Sequence, residues 1–540
     1  MGIVDLPNGN SCGVQGEIMN IHTRFLYMLT LLAMSYSVHA CELLQGQLHG
    51  TSFFTPRSQS TDAARDLVGW HRFWHQWDTE GFYGTAALTT EFTRSFRPHR
   101  LAEYFFGSDE LTISGSDVGN RADQELLADY FGLSQEFSSN VFFKPVIQNF
   151  IADVGWFFGY GNWYWYTHIP IAWQSTNWHL FEVVENSGRD TLYPAGYMGA
   201  DTIMAPYASW SSAMQGGRSF GDVQALKFGK IACGHLSKAG VAEIQTVLGY
   251  DLVREEIGNA GLNIRASFPT GNRPNSDFLL TPIIGNGKHW ELGVGLNSQI
   301  ILWEKDGNQR VDFFFYFNVT HLFKTRQFRS FDFLKNGWFS RYELLKQFDE
   351  NGIYTGVTIP AINITTLPCD VEVAGQIDTV LMFSYQNRGF NFDIGYNAWI
   401  RSKEEVRLLC DNDPFATQKY GFKGIQNVIN MDSSTNSTQS KATIFGDPFV
   451  TQAAVADPNP PVFIPFNSLD VESAASPLQF TNTIFWHLSY AWYTDQPNRP
   501  SPFFGWGGKV EFEGVRPKEV LPNKNTMSQW GTWLRGGVGW

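Results

Sequence analysis

The sequence predicts an all-β fold: a transmembrane antiparallel β-barrel of about 12 strands (range about 12–16), with short periplasmic turns and long extracellular loops. Three observations predict it. Apolar and polar residues alternate in run after run, the period-two pattern of a strand with two unlike faces. Aromatic residues make up 16% of the 540 residues and charged ones only 17%, where an ordinary soluble domain is roughly a quarter charged. Mean hydropathy is only −0.21, and past the N-terminal leader no run is long and apolar enough for a spanning helix. An exported chain of this kind can satisfy its backbone in lipid only as a closed barrel.

From Met19 the chain reads MNIHTRFLYMLTLLAMSYSVHACELL, with Arg24 ahead of an apolar core from Phe25 to Met34 and small residues at Val38-His39-Ala40. This is the plan of a secretory signal peptide, with cleavage expected after Ala40. Residues 1–18 do not fit ahead of such a leader and read as a start-site artefact. Residues 19–40 are then the signal peptide, 41–80 an N-terminal periplasmic or plug segment, and 81–540 the barrel. Within 41–80 the run DLVGWHRFWHQW reads as helical. Cys41 follows Ala40 directly, but His39 disfavours a lipoprotein site.

The strands follow in order. Phe82–Phe96 comes first, with Thr85, Thr89, Glu91, Thr93 and Ser95 on its polar face. Val141–Trp156 and Trp163–Glu182 flank a turn at Gly159-Tyr160-Gly161-Asn162, and Gly240–Leu252 and Ala260–Phe268 flank another at Glu256-Ile257-Gly258-Asn259. The next strand sets Trp290, Leu292, Val294 and Leu296 against Glu291, Gly293, Gly295 and Asn297. It turns at Lys305-Asp306-Gly307-Asn308 and returns with Val311, Phe313, Phe315, Phe317 and Val319 opposite Asp312, Tyr316, Asn318 and Thr320. Thr379–Tyr385 joins Phe390–Arg401 through Gln386-Asn387-Arg388-Gly389, a tight-turn composition. Thr483–Tyr493 and Phe503–Phe512 enclose residues 494–500. The last strand puts Trp530, Thr532, Leu534, Gly536 and Val538 on one face, Gln529, Gly531, Trp533 and Arg535 on the other, and closes on Trp540. A soluble sandwich would show the same alternation; the bulk and number of aromatics favour lipid and its interfacial girdles.

Connection lengths alternate. Short turns at 158–162, 253–259, 305–308, 386–389 and 494–500 are separated by longer stretches, 97–139, 183–238, 269–288, 326–375, 402–481 and 513–526. With both termini on the periplasmic side this gives an even strand number, as bacterial barrels require. Lys419–Val428 and Lys441–Val450 are candidates for an extra pair. Ser340-Arg341-Tyr342-Glu343 is a capping box that predicts a short helix over RYELLKQFD, in the lumen or on the rim. Residues 432–441 and 457–461 read as a solvated surface loop. Export permits a disulfide, and Cys369 with Cys410 is the favoured pair because both flank outer loops; no cysteine spacing matches a zinc or CxxC pattern.

Catalytic chemistry is nearly absent. Gly217-Arg218-Ser219-Phe220-Gly221 matches GxSxG, but without the strand before and helix after that a nucleophile elbow needs. His71 and His75 stand at metal-ligand spacing, yet no third ligand lies nearby; with Trp70, Trp74 and Trp77 interleaved, an interfacial aromatic cluster is the better reading. Gly285-Asn286-Gly287 is no phosphate cradle, since no helix follows. A net charge of −13 argues against nucleic acid. No catalytic, cofactor-binding or metal residue is assigned. The residues expected on the lumen face are Glu91, Arg265, Glu291, Asp312, Asn391, Asp393, Arg401, Lys509, Glu511 and Arg535. They mix both signs, so strong ion selectivity does not follow.

Several strings carry a likeness to a family: LTISGSDVGNRADQELLADYFGL (111–133), FPTGNRPNSDFLLTPIIGNGKHWELGVG (268–295), THLFKTRQFRSFDF (320–333), FNFDIGYNAWIRSKE (390–404) and SQWGTWLRGGVGW (528–540). They resemble a porin-like outer-membrane protein family of symbiotic bacteria of the Dependentiae type, over most of the mature chain. The resemblance implies a barrel in the outer membrane and carries over no catalytic residue; outer-membrane lipid and, through the terminal aromatic strand, the barrel-assembly machinery are the expected partners. Trp530, Leu534, Val538 and Trp540 resemble the membrane-facing assembly signal of such barrels. The leading expectation is a porin-like channel for passive diffusion of small polar solutes. Alternatives are a closed-lumen structural or host-contacting surface barrel and, weakly, an outer-membrane hydrolase using Ser219. Homo-oligomerisation stays open.

Overall fold

A computed structural model describes residues 50–79, 81–188, 207–424, 436, 438–446, 461–492, 500–514 and 527–540. The alternating runs form twelve long strands: β1 (Phe82–Phe96), β2 (Val146–Tyr160), β3 (Trp163–Asn177), β4 (Glu243–Glu255), β5 (Gly258–Pro269), β6 (Glu291–Lys305), β7 (Gln309–Ser330), β8 (Thr366–Asn387), β9 (Phe390–Arg401), β10 (Gln479–Ala491), β11 (Ser501–Glu513) and β12 (Ser528–Gly539). Each pairs antiparallel with its neighbours in sequence. The first and last strands close the ring, in register from Thr85 opposite Gly539 to Phe96 opposite Ser528, and β7 with β8 completes it. With both neighbours present on every strand no backbone edge is left unpaired, which is what lipid demands. The β6–β7 turn, closed by the Asn308 N–H on Lys305 O, has Asp306 and Gly307 at φ of 54° and 62°, the left-handed region that Gly and Asp enter most readily.

Side chains sort by the period of two. Outward lie Leu88, Ile264, Val294, Ile484 and Leu534, all exposed. At the turn end an aromatic band includes the contacts of Phe82 with Phe158 (5.6 Å), Phe158 with Trp165 (5.4 Å) and Trp163 with Tyr250 (5.0 Å). At the loop end Phe92 meets Trp530 (5.6 Å) and Phe268 meets Trp290 (5.3 Å). Two aromatic rows around an apolar belt are the exterior of a membrane barrel. Among the described residues no helix is long and apolar enough to cross a membrane. Inward, Thr85, Thr89, Glu91, Thr93 and Ser95 of β1 are buried, as are Asn391, Asp393 and Asn397 of β9.

The long connections fold at the loop end around apolar clusters. One gathers Phe105, Phe106, Leu126, Phe131, Phe143, Trp178 and Trp210, and another Phe331, Phe333, Leu345, Ile359, Val371 and Phe422. Small sheets sit there: Glu110–Ser114, Leu126–Leu127, Ser138–Phe142 and Phe181–Asn186 form one, and Leu344–Phe348, Tyr354–Pro360 and Lys419–Phe422 another.

The structure corrects several expectations. The capping-box helix is a single 3-10 turn at Ser340–Tyr342 followed by a strand, Leu344–Phe348; Leu344 and Leu345 are buried, and cross-strand packing on both sides overrides local helix propensity. Lys419–Phe422 is a strand, but of the loop-end sheet and not of the barrel. Residues 441–446 form no strand, and 425–428 and 447–450 lie outside the described residues. Val141–Trp156 and Trp163–Glu182 each divide, because the barrel strand ends where a separate loop-end strand begins. Cys369 and Cys410 are both free thiols, the first buried and the second exposed, so the favoured disulfide does not form. The expected signal peptide, residues 19–40, and residues 432–435 and 457–460 also lie outside the described residues.

Of the N-terminal stretch, the described residues lie within the ring. Gly50–Thr55 lie at the loop end, not with the turns: Thr51 N–H bonds Tyr104 O (3.2 Å), Ser52 Oγ bonds Ser330 O (2.5 Å), and the Arg329 guanidinium stacks on Phe53. From there the chain runs down the lumen to the turn end, where β1 starts.

Candidate functional site: the occupied lumen

Residues 50–79 are almost all buried, and the groups that bury them are the inward faces of the barrel strands. Of the charges in this stretch, Arg57, Asp62, Arg65, Asp66 and Arg72 find partners on the wall. The seam has three levels.

At the loop end Glu404 accepts from Thr55 Oγ1, Arg329 Nη1, Arg401 Nη2 and Ser476 N, each at 3.0 Å. Burial alone would raise the Glu404 carboxyl; the guanidiniums of Arg329 and Arg401 outweigh it and hold it at about 2.

In the middle Arg57 Nη2 reaches Asp378 Oδ2 (3.0 Å) and Asn397 Oδ1 (3.2 Å). Ser58 and Ser60 both donate to Glu243. A short helix, α1 (Ala63–Leu67), is capped by Asp62, whose carboxylate accepts from Arg65 N (3.0 Å) and pairs with Lys509. Arg65 Nη1 meets Glu91 Oε2 at 2.7 Å and Arg65 Nη2 lies 3.3 Å from Asp153 Oδ2. Lys509 is shared with Glu91 at 2.6 Å. Arg535 donates from Nε to Thr89 Oγ1 (2.7 Å) and from its other nitrogens to Arg65 O and Val68 O.

At the turn end Gly69 N–H bonds Asp393 Oδ2 (3.1 Å) and His75 Nδ1 lies 2.7 Å from Asp251 Oδ2. Arg72 donates to Gly389 O and Arg388 O in the β8–β9 turn, and Arg254 donates to Gln76 O and Thr79 O. Trp70, Trp74, Phe157, Tyr164 and Tyr166 fill the space between. Trp74 stacks on Phe157 at 4.8 Å. The aromatic cluster around His71 and His75 therefore lies inside the barrel and not at the membrane interface, because those rings pack on the inward face of β2 and β3; Trp77 alone is exposed. His71 Nε2 lies 3.1 Å from Ser384 Oγ. Buried charges are retained when paired and hydrogen-bonded, and here Arg57–Asp378, Asp62–Lys509, Arg65–Glu91 and His75–Asp251 join the segment to the wall.

All ten lumen candidates lie on inward faces. Glu91, Lys509, Arg535 and Asp393 touch the segment directly, and Glu511 lies 4.0 Å from Arg57. Asn391 bonds Ser384 and Asp393, Asp312 bonds Arg310 and Gln386, Glu291 bonds Asn286, Arg401 bonds Glu404, and Arg265 bonds Gln245. Trp530, Leu534, Val538 and Trp540 face outward. Sequence reasoning missed Asp153, His168, Glu243, Asp251 and Asp378. Their signal was present: each is a polar residue on the inward parity of a strand, in a chain poor in charge. Ser219 is exposed, just ahead of a turn closed by the Phe220–Val223 bridge, with no preceding barrel strand or following helix to frame it.

Little space is left beside the segment. A cavity of about 40 Å³ is bordered by Asp66, Trp74, His75, Tyr164, Tyr166 and Arg265; one of about 30 Å³ lies across the segment beside Arg57, Arg65, Glu91 and Lys509. A water needs roughly 10–15 Å³ of such space, so these hold a few waters and nothing larger.

No family model and no curated protein matches the chain. Among solved structures it is similar to the COG4313 outer membrane channel from Pseudomonas putida F1, at 8% identity over 86% of this chain and 97% of that one, with a TM-score of 0.35. It is also similar to a Pseudomonas aeruginosa FadL homologue, at 8% identity over 90% and 99%, with a TM-score of 0.27. Likeness this distant says nothing of cargo, and the closed twelve-strand ring rests on its own strand pairing.

Proposed function

We propose that the protein is an outer-membrane channel for small solutes whose lumen residues 50–79 hold closed, so that passage depends on movement of that segment. The observation that carries this reading is the seam of buried ion pairs between segment and wall: Arg57–Asp378, Asp62–Lys509 and Arg65–Glu91. In this proposal the segment is a plug, and the barrel reaches the outer membrane through a cleaved leader, read from residues 19–40, and the barrel-assembly machinery, read from the terminal aromatic strand. Once the segment shifts, the exposed wall is polar and of mixed sign, which suits passive diffusion of small polar solutes without strong charge selection. The runner-up, a permanently closed surface barrel, is favoured by one observation: the segment is pinned at both ends of the lumen, by Glu404 and by Asp251 and Arg254.

Single-channel conductance of refolded residues 41–540 in a planar bilayer separates the two. Rare current steps in the wild type that become frequent in Arg65→Met support the channel. A heat-modifiable barrel that inserts and stays silent in both proteins overturns it in favour of the closed scaffold.

A further inference from the structure

His168, on β3, sits where the segment meets the wall. Its Nδ1 lies 3.2 and 3.1 Å from the two carboxylate oxygens of Asp153 on β2. Its Nε2 lies 3.1 Å from Gln245 Oε1 on β4 and 3.9 Å from Asp66 Oδ2 on the segment. The Gln245 amide has one orientation: Oε1 accepts from Arg265 Nη2 at 2.6 Å, and Nε2 donates to Ser267 Oγ at 3.2 Å. Both ring nitrogens therefore face acceptors, and an imidazole can satisfy two acceptors only when both nitrogens carry protons. His168 is fully buried, with Tyr166 stacked on its ring at 5.3 Å.

We infer that His168 is the positioning residue of the closed state, an imidazolium that latches the segment to the wall through Asp66 and Asp153. This rests on the plugged-channel reading for its consequence, though not for the charge state. The surrounding charges fit. Asp66 is buried with Oδ1 unpaired, and the other cation at hand, Arg65, lies 3.3 Å from Asp153 and is committed to Glu91. Arg535 sits behind, held by the backbone oxygens of Arg65 and Val68. Arg265 supports Gln245 from the far side. When the proton leaves, one nitrogen must point its lone pair at the Asp153 carboxylate or at Gln245 Oε1. Asp66 then loses the cation that lies 3.9 Å from its Oδ2. The latch weakens as pH rises.

The test compares the wild-type protein with His168→Gln. Imidazole nitrogens are labelled with ¹⁵N and followed by NMR from pH 6 to 10, the His168 signal being the one absent from His168→Gln. In parallel, hydrogen exchange of the amides of residues 61–69 is followed over the same range and corrected for its intrinsic pH dependence. The expected result is two protonated nitrogens on His168 at neutral pH. Protection of residues 61–69 should then fall about tenfold as His168 titrates, the order expected for loss of the buried ion pair between His168 and Asp66. In His168→Gln the protection is already low and flat with pH. A neutral His168 at pH 7, or wild-type protection that does not change as His168 titrates, overturns the latch. Failure of the channel reading looks different: the latch titrates as described, and no current appears at any pH.

Discussion

Replacing Arg65 by Met keeps the length and most of the volume of the side chain and removes only its charge and donors. In the structure Arg65 is buried, and its guanidinium serves Glu91, Asp153 and the carbonyl of Gln59. Glu91 is wholly buried and keeps only Lys509, which already neutralises Asp62. Two cations, Arg65 and Lys509, currently balance Asp62 and Glu91; the variant leaves one. Removing one partner of a buried pair costs roughly 3–5 kcal/mol, and the shared lysine places this case at the low end. About 3 kcal/mol is a factor of about a hundred in the equilibrium between seated and displaced segment. In a planar bilayer the open fraction should rise by that factor, and limited proteolysis should cut within residues 56–72 where the wild type resists. Arg65→Met with Glu91→Gln should recover much of the closure, because a neutral pair leaves no buried charge behind. An Arg65→Met protein as closed and as protease-resistant as the wild type would refute the reasoning and place the hold of the segment in its aromatic contacts instead.

Three further outcomes follow from the same structure. Leu88, mid-strand and 48% exposed on the outer face, should lose roughly 2–4 kcal/mol of folding stability as Leu88→Arg, the cost of a charge near the bilayer midplane; urea titration in lipid vesicles measures it, and an unchanged midpoint would mean that this face does not meet lipid. Glu404 has its pKa held at about 2, below the usual 4.5, so the stability it contributes is present above pH 4.5 and is lost as pH falls toward 2. The loss is roughly 3 kcal/mol, and heat-modifiability across that window should drop in the wild type and stay flat in Glu404→Gln. Gly249 lies under the Tyr164 ring, whose Cζ would stand 2.0 Å from an added Cβ; Tyr164 is fixed by hydrogen bonds to Asn297 and Asn263. Gly249→Ala should therefore cost about 1–3 kcal/mol of overpacking, and a variant that melts like the wild type would show that the ring can move.

The barrel was legible because a strand writes its two environments directly into the sequence. On β9 the alternation of Phe390, Ile394 and Tyr396 with Asn391, Asp393 and Asn397 holds whether or not the partner strands are known, and loop lengths then settle which end is which. Leu344–Phe348 was misread because a capping box is a local signal, whereas its strand pairing is made with Tyr354–Pro360 and Lys419–Phe422, far along the chain. The lumen faces of Glu91, Lys509 and Arg535 could be read from parity; what those faces touch could not. Arg65 meets Glu91, Asp62 meets Lys509, and Asp66 meets His168, across 26, 447 and more than a hundred residues of sequence respectively. By itself the sequence determined which side of each strand lipid would see, because hydrophobic parity is a property of single residues. Only the tertiary structure decided that the polar side would face a segment of the same chain and not open water, because that depends on where residues 50–79 lie once the ring has closed around them.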